Sequence, residues 1–129
     1  MHDVDIKLDF APKAFSSGAR NELIMTISIS SGDAQPHWCE CDIEVKAPVS
    51  LAPDKELTFG RTRVGIVSTA RQISKPVKIY TTNAVVDGDY TIEIIAYLYD
   101  EDGAISVRKE VAELIVSRGI ANDKMVQQS

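Results

Sequence analysis

The sequence alternates between apolar and polar residues over several stretches, and the longest of these lies between two glycine turns. In residues 87–105, apolar side chains recur at every second position, namely Tyr90, Ile92, Ile94, Ala96 and Leu98. A spacing of two places side chains on one face of a β-strand. The pattern therefore predicts a central strand over 87–99 that contributes five core contacts, followed by a hairpin turn at Asp102-Gly103.

Shorter alternating stretches occupy most of the remaining chain. They cover residues 4–10, 22–30, 39–46, 57–67, 72–81 and 104–117, with glycine, proline and serine turn signals between them. No segment of ten or more residues has a clear apolar period of 3.6, so any helices should be short. The fold class predicted by this layout is all-β, an antiparallel two-sheet sandwich of seven or eight strands.

Several stretches depart from simple alternation. Residues 47–56 contain Pro48 and Pro53, which predicts a crossing between sheets or an edge. Pro76 marks its strand as an edge strand or a strand start. Gly60 interrupts residues 57–67, which we expect to form either one bent strand or two short ones. In 104–117 the apolar parity changes after Val107, so we expect a β-bulge near 109–111 that keeps both parities inward.

Length and charge limit the class of protein. A chain of 129 residues fits one domain, which we place at residues 1–118, with a flexible tail at 119–129. Its net charge of -5, without a basic cluster, argues against nucleic acid as a partner.

Neither a signal peptide nor an apolar stretch of membrane-spanning length is found, so we expect no membrane insertion. The expected location is cytoplasmic if Met1 is the native start, and extracellular if the domain is cut from an exported chain.

The turn before the 87–99 strand carries a resemblance to a known fold. Asp87-Gly88-Asp89-Tyr90 resembles the tyrosine corner of immunoglobulin-like sandwiches, in which the Tyr hydroxyl bonds to backbone slightly upstream. With the segments 21–32, 45–48 and 99–103, the layout over residues 4–117 resembles cell-adhesion-related (CARDB-type) and fibronectin type III-like domains. The resemblance implies an interaction or spacer module without shared catalytic residues.

For each group of residues that could form a chemical site, a purely structural explanation is the stronger one. Cys39 and Cys41 are two apart on a strand, a poor geometry for a disulfide, so we expect two free, buried thiols. With His37 they still lack a fourth zinc ligand, and the acidic turn 100–102 does not match a calcium loop. The His residues have no triad context. We therefore predict no metal, no cofactor and no enzymatic activity.

The outward face of the central strand is the best candidate for a site. It presents Ile95, Tyr97 and Tyr99 where polar residues are expected, and an antiparallel third strand would bring Trp38 beside them. Trp and Tyr give large contact area at low entropic cost, so Trp38, Ile95, Tyr97 and Tyr99 are the predicted interaction residues.

Three hypotheses for function remain open. The leading one is a non-enzymatic module that binds a protein partner or a second copy of itself through the sheet with strands three, six and seven. The second is a structural spacer domain, in which long neighbouring side chains cover the tyrosines and Trp38 tucks into the end of the sandwich. The third is a sandwich that binds a metal or a small molecule.

Overall fold

The structure is a computed structural model that describes residues 4–117. Within this range the chain forms nine strands and no helix. They are β1 (Val4–Ala11), β2 (Ala14–Ser16), β3 (Asn21–Ser31), β4 (His37–Glu44), β5 (Val49–Ser50), β6 (Phe59–Val67), β7 (Ile73–Thr81), β8 (Gly88–Asp100) and β9 (Gly103–Ser117). The predicted tail at 119–129 and the boundary at 118 lie outside the described residues.

The strands form two sheets that pack face to face. The smaller sheet has the order β1-β3-β7-β5, and the larger has the order β2-β9-β8-β4-β6. Neighbouring strands are antiparallel except β2, which pairs in parallel with the end of β9. The prediction of an all-β, two-sheet sandwich is confirmed. β2 and β5 are only three and two residues long, too short to produce an alternating pattern in the sequence.

The core lies between β3 and β8, and both strands face it as their alternation predicted. From β8, Ile92, Ile94, Ala96 and Leu98 are fully buried, and from β3 the buried side chains are Leu23, Met25, Ile27 and Ile29. Tyr90, the fifth predicted core position of β8, is only half-buried at the edge of this cluster. β8 is the middle strand of the larger sheet, which confirms its predicted central position.

The predicted bulge in β9 is real but misplaced. The β8–β9 register shifts where Leu98 faces Ser106 and Tyr99 faces Ala104, so the extra residue is Ile105, next to the hairpin turn. From Ser106 onward the pairing with β8 is regular. The expectation of a bulge at 109–111 was therefore wrong. Because no second register shift follows Ile105, Val107 lies on the outer face opposite Tyr97, where it is exposed to solvent.

The other irregular stretches are resolved in a similar way. β6 is one continuous strand whose irregularity lies at Val64, beside Gly65 with φ of +134°, and not at Gly60. Segment 47–56 crosses from the larger to the smaller sheet, as predicted, and provides β5 at the edge. Pro76 lies within β7, beyond the two residues that pair with β5, so this part of β7 is an edge that tolerates a missing N–H donor.

The tyrosine corner is present. The Tyr90 hydroxyl donates to the Val86 carbonyl oxygen at 2.9 Å and accepts from the Val86 N–H at 3.3 Å. This closes the turn between the end of the smaller sheet and β8. The turn thus fixes the direction in which the central strand enters the larger sheet.

Tyr90→Phe is expected to lower the free energy of unfolding by about 0.5–1.5 kcal/mol, because it removes a hydrogen bond whose backbone partner stays accessible to water. Urea unfolding of the parent and the variant measures the difference. An unchanged denaturant midpoint would show that the corner does not stabilise the fold.

Candidate interaction surface on the larger sheet

The outer face of the larger sheet holds the predicted interaction residues together. In the β4–β8 register, Trp38 lies opposite Tyr99, Glu40 opposite Tyr97, and Asp42 opposite Ile95. Because β4 is antiparallel to β8, residues far apart in sequence become cross-strand neighbours on one face. All four predicted residues, Trp38, Ile95, Tyr97 and Tyr99, are therefore on the same side of the sheet.

The aromatic residues form a connected group at one end of this face. The rings of Tyr97 and Tyr99 have centroids 6.3 Å apart and are tilted by 32°. Trp38 is 38% exposed, and its indole Nε1–H donates to Glu40 Oε2 at 2.8 Å. Trp38 is thus held on the surface by a hydrogen bond and does not tuck into the end of the sandwich.

Arg61 of β6 lies across the middle of the face. Its guanidinium binds the Asp42 carboxylate through two hydrogen bonds of 2.6 and 3.0 Å, and it lies 5.2 Å from the centre of the Tyr97 ring. A second carboxylate is close by, with Glu40 Oε1 3.6 Å from Arg61 Nη1. A planar guanidinium that pairs with a carboxylate and also covers a ring limits the motion of all three side chains.

These contacts alter the acidity of the groups involved. The hydrogen bond from Arg61 lowers the pKa of Asp42, so this carboxylate stays charged at neutral pH. Partial burial, followed by the nearby Asp42 charge, raises the pKa of Tyr97, so its hydroxyl stays neutral. The face therefore combines a neutral phenol with a charged pair that is already neutralised internally.

Two apolar residues on this face were missed in the sequence. Ile66 of β6 lies beside Trp38 and is 51% exposed, and Val107 of β9 lies beside Tyr97 and is 58% exposed. The parity of Ile66 depends on the bulge at Val64, and that of Val107 on the bulge at Ile105. We call Trp38, Ile66, Tyr97, Tyr99 and Val107 the aromatic patch. Ile95 lies next to it, between Asp42 and Lys109, and is half-buried, as are Tyr97 and Tyr99.

The cysteines are inside the sandwich. Cys39 and Cys41 are free and fully buried, as predicted. Hydrogen bonding to Cys39, together with burial, raises the pKa of the Cys41 thiol. Next to them, His37 Nε2 is 2.8 Å from Asp33 Oδ2, which ties the start of β4 to the preceding loop. Within residues 4–117 no group of three or more His, Cys, Asp and Glu side chains is arranged to hold a metal ion.

A groove lies elsewhere, at the crossing between the sheets. It has a volume of about 460 Å³ and is lined by the 47–56 segment together with Arg20 and Tyr80. Ser50, one of the polar side chains that line it, uses its hydroxyl to bind backbone groups of its own loop.

Among the described residues, no helix has the length and apolar character needed to cross a lipid bilayer.

Comparison with known proteins supports the fold. No family model and no curated protein matches the chain. Among solved structures, a chain of the complex between zinc 2-glycoprotein and prolactin inducible protein from human seminal plasma has a TM-score of 0.59 at 10% identity, and the match covers 88% of this chain and 92% of that one. A CARDB domain from Pyrococcus furiosus, solved in complex with di-metal ions, has a TM-score of 0.53 at 9% identity, covering 89% and 88%.

These similarities extend over most of each chain. At such low identity they concern the fold and not the function. The fold is an immunoglobulin-like β-sandwich, similar to that of a CARDB domain.

Proposed function

We propose that the protein is a non-enzymatic interaction module that binds a protein partner through the aromatic patch on the larger sheet. The single observation that carries this proposal is the arrangement of Trp38, Tyr97 and Tyr99 as surface neighbours, with exposed Ile66 and Val107 at their sides. A strand with one wet face normally presents polar residues there. An apolar and aromatic surface in this position is typical of a protein interface.

The composition of the patch favours a protein partner. Trp, Tyr and Arg are the residues that most often dominate binding energy at interfaces, and here Arg61 lies over Tyr97. The surface is the open side of a sheet, whereas small-molecule sites are concave and enclose most of the ligand. A partner surface of matching shape would cover the patch, with Glu44, Glu93 and Arg63 at its polar rim.

Trp38 in the patch and Arg61 beside it are also held in place before binding. Glu40 fixes the Trp38 indole, and Asp42 fixes the Arg61 guanidinium. A surface that is already ordered loses less side-chain entropy when a partner binds. The likeness to a chain from a protein complex is consistent with an interaction module.

A charged substitution in the patch tests the proposal. Tyr97→Glu is expected to weaken partner binding by about 100-fold, because it places a carboxylate in a desolvated contact. The partner is first captured from the native source on the immobilised domain, and its affinity for the purified parent and variant is then measured by calorimetric titration.

Ile24→Glu is the matched control. Ile24 is 40% exposed on the outer face of the smaller sheet, so this variant adds the same charge at an exposed apolar position away from the patch. The control should bind like the parent. If no partner distinguishes the parent from Tyr97→Glu, the spacer hypothesis becomes the better one.

A further inference from the structure

One edge of the larger sheet is open along a whole strand. β6 is the last strand of this sheet: it pairs with β4 on one side, and among the described residues no strand pairs with it on the other. β7, which lies across from β6 in the smaller sheet, is open on the same side, because β5 pairs with it only at Tyr80 and Thr81. Both edges have backbone donors and acceptors available there for another strand.

An apolar groove, which we call the side groove, lies between these two open edges and has a volume of about 240 Å³. Apart from Arg61 and Thr62, its lining consists of Ile43, Leu51, Leu57, Gly60, Pro76 and Val77. Gly60 makes room for Leu51, since a Cβ atom on Gly60 would lie only 3.2 Å from Leu51 Cδ1. A strand added beside β6 directs every second side chain inward, toward the side groove. Those side chains should therefore be apolar.

The outward side chains in the middle of β6 are basic. Arg61 and Arg63 follow each other on the outer face, opposite Asp42 and Glu40 of β4. An acidic row on β4 is thus followed by a basic row on β6. Arg63 is exposed and takes part in none of the ion pairs among residues 4–117. Because opposite charges directly across a ladder are stabilising, the next row, on an added strand, should be acidic.

A lysine on the core-facing side of β7 makes the opening selective. Lys75 lies opposite the fully buried Ile27, so it belongs to the inner face of the smaller sheet, and it is half-buried at the open edge. Within residues 4–117 it has no ion-pair partner either. Inward-pointing charges protect a sheet edge against unspecific strand addition. Together with the two arginines, Lys75 attracts a strand that carries carboxylates and repels a basic one.

We propose that an extended segment of a partner protein, in which apolar and acidic residues alternate, adds to β6 as a new edge strand of the larger sheet. Its apolar side chains enter the side groove, and its carboxylates lie beside Arg61 and Arg63. A second copy of β6 does not fit this position, because two paired copies would bring their arginine rows together. The inference rests on the edge of the sheet and does not depend on the proposed function of the aromatic patch.

Three synthetic peptides of defined pattern test the proposal, each nine residues long like β6. In the first, Val and Glu alternate; in the second, Lys replaces every Glu; the third has the composition of the first with its Val residues grouped together. Fluorescence anisotropy should give the Val–Glu peptide a Kd below about 1 mM. The Val–Lys peptide should bind at least about tenfold more weakly because of its charge, and the grouped peptide likewise because its apolar side chains cannot all face the groove.

Charge reversal in the protein tests the basic row. Arg63→Glu should weaken binding of the Val–Glu peptide by about tenfold and strengthen binding of the Val–Lys peptide by a similar factor, a reversal that a damaged fold would not produce. Arg108→Glu is the matched control, because it makes the same change at an exposed position of β9, at the other side of the larger sheet. Val107→Glu alters the aromatic patch. Both of these variants should bind the Val–Glu peptide like the parent.

Amide hydrogen exchange locates the bound peptide. Binding of the Val–Glu peptide should slow exchange within β6, because edge N–H groups gain protection when a strand pairs with them. Exchange in residues 104–114 of β9, which β2 leaves open, should not change. Three results would overturn the proposal: equal affinity for the Val–Glu and Val–Lys peptides, no binding of the Val–Glu peptide up to about 1 mM, or protection that appears in β9 and not in β6.

Discussion

Ile94→Ala is expected to lower the free energy of unfolding by about 2–5 kcal/mol, which is a large part of the total stability of a domain of this size. Ile94 is fully buried at the middle of β8, the central strand of the larger sheet. Truncating it removes buried methyl and methylene groups and leaves a cavity between two sheets whose backbones are fixed by hydrogen bonds on both sides. The surrounding side chains can fill that cavity only in part.

Ile95→Ala is the matched control for this prediction. The same side chain is removed one residue later, but there it lies half-buried on the outer face. Its expected cost is about 1 kcal/mol or less. Urea unfolding of the two variants compares the faces of a single strand directly, and equal costs for both would contradict the observed orientation of β8.

The second large effect concerns the two thiols. Cys39 and Cys41 should react with a thiol reagent at least about 1,000-fold more slowly in the native protein than in denaturant, because both side chains are inaccessible and reaction needs opening of the sandwich. The raised pKa of Cys41 further reduces the reactive thiolate in the folded state.

Mass spectrometry after timed labelling measures this protection, and the destabilised Ile94→Ala variant serves as an internal comparison. If protection comes from the packed fold, that variant should label faster than the parent in proportion to its loss of stability. Rapid labelling of the native parent, or stoichiometric zinc in an elemental analysis, would contradict the assignment of two buried, unliganded thiols.

Alternation was enough to predict most of the sandwich. In β3 and β8 every second residue is apolar over four or more positions, so the buried face follows directly from the period of a strand. The partnership of β4 with β8 also followed from the expected immunoglobulin-like order, which is why Trp38 could be placed beside Tyr99 before the register was known.

The features that the sequence did not reveal are those that depend on a shift of the strand register by one residue. A bulge at 109–111 would turn Val107 inward and a bulge at Ile105 turns it outward, and the pairing of Leu98 with Ser106 decides between them. The same holds for β6, where the extra residue at Val64 determines that Ile66 faces outward. Both apolar residues missed in the aromatic patch lie just beyond such a bulge.

The contacts of Arg61 with Asp42, Glu40 and the Tyr97 ring could not be predicted for a different reason. Arg61 and Asp42 are nineteen residues apart, and their contact depends on how β6 pairs with β4. The available signal was weak: Arg61 and Arg63 are two apart on one strand, as are Glu40 and Asp42 on another, so an antiparallel pairing matches basic with acidic positions.

The β4–β8 pairing also has a consequence for how the chain is assembled. β4 and β6 are close in sequence and can pair early, but the other side of β4 has no partner until Gly88–Asp100 is available. Bringing these strands together closes a loop of more than forty residues, and such distant pairings slow folding to the range of milliseconds to seconds. During synthesis on the ribosome, Trp38 and the thiols beside it therefore remain uncovered until the last third of the protein emerges.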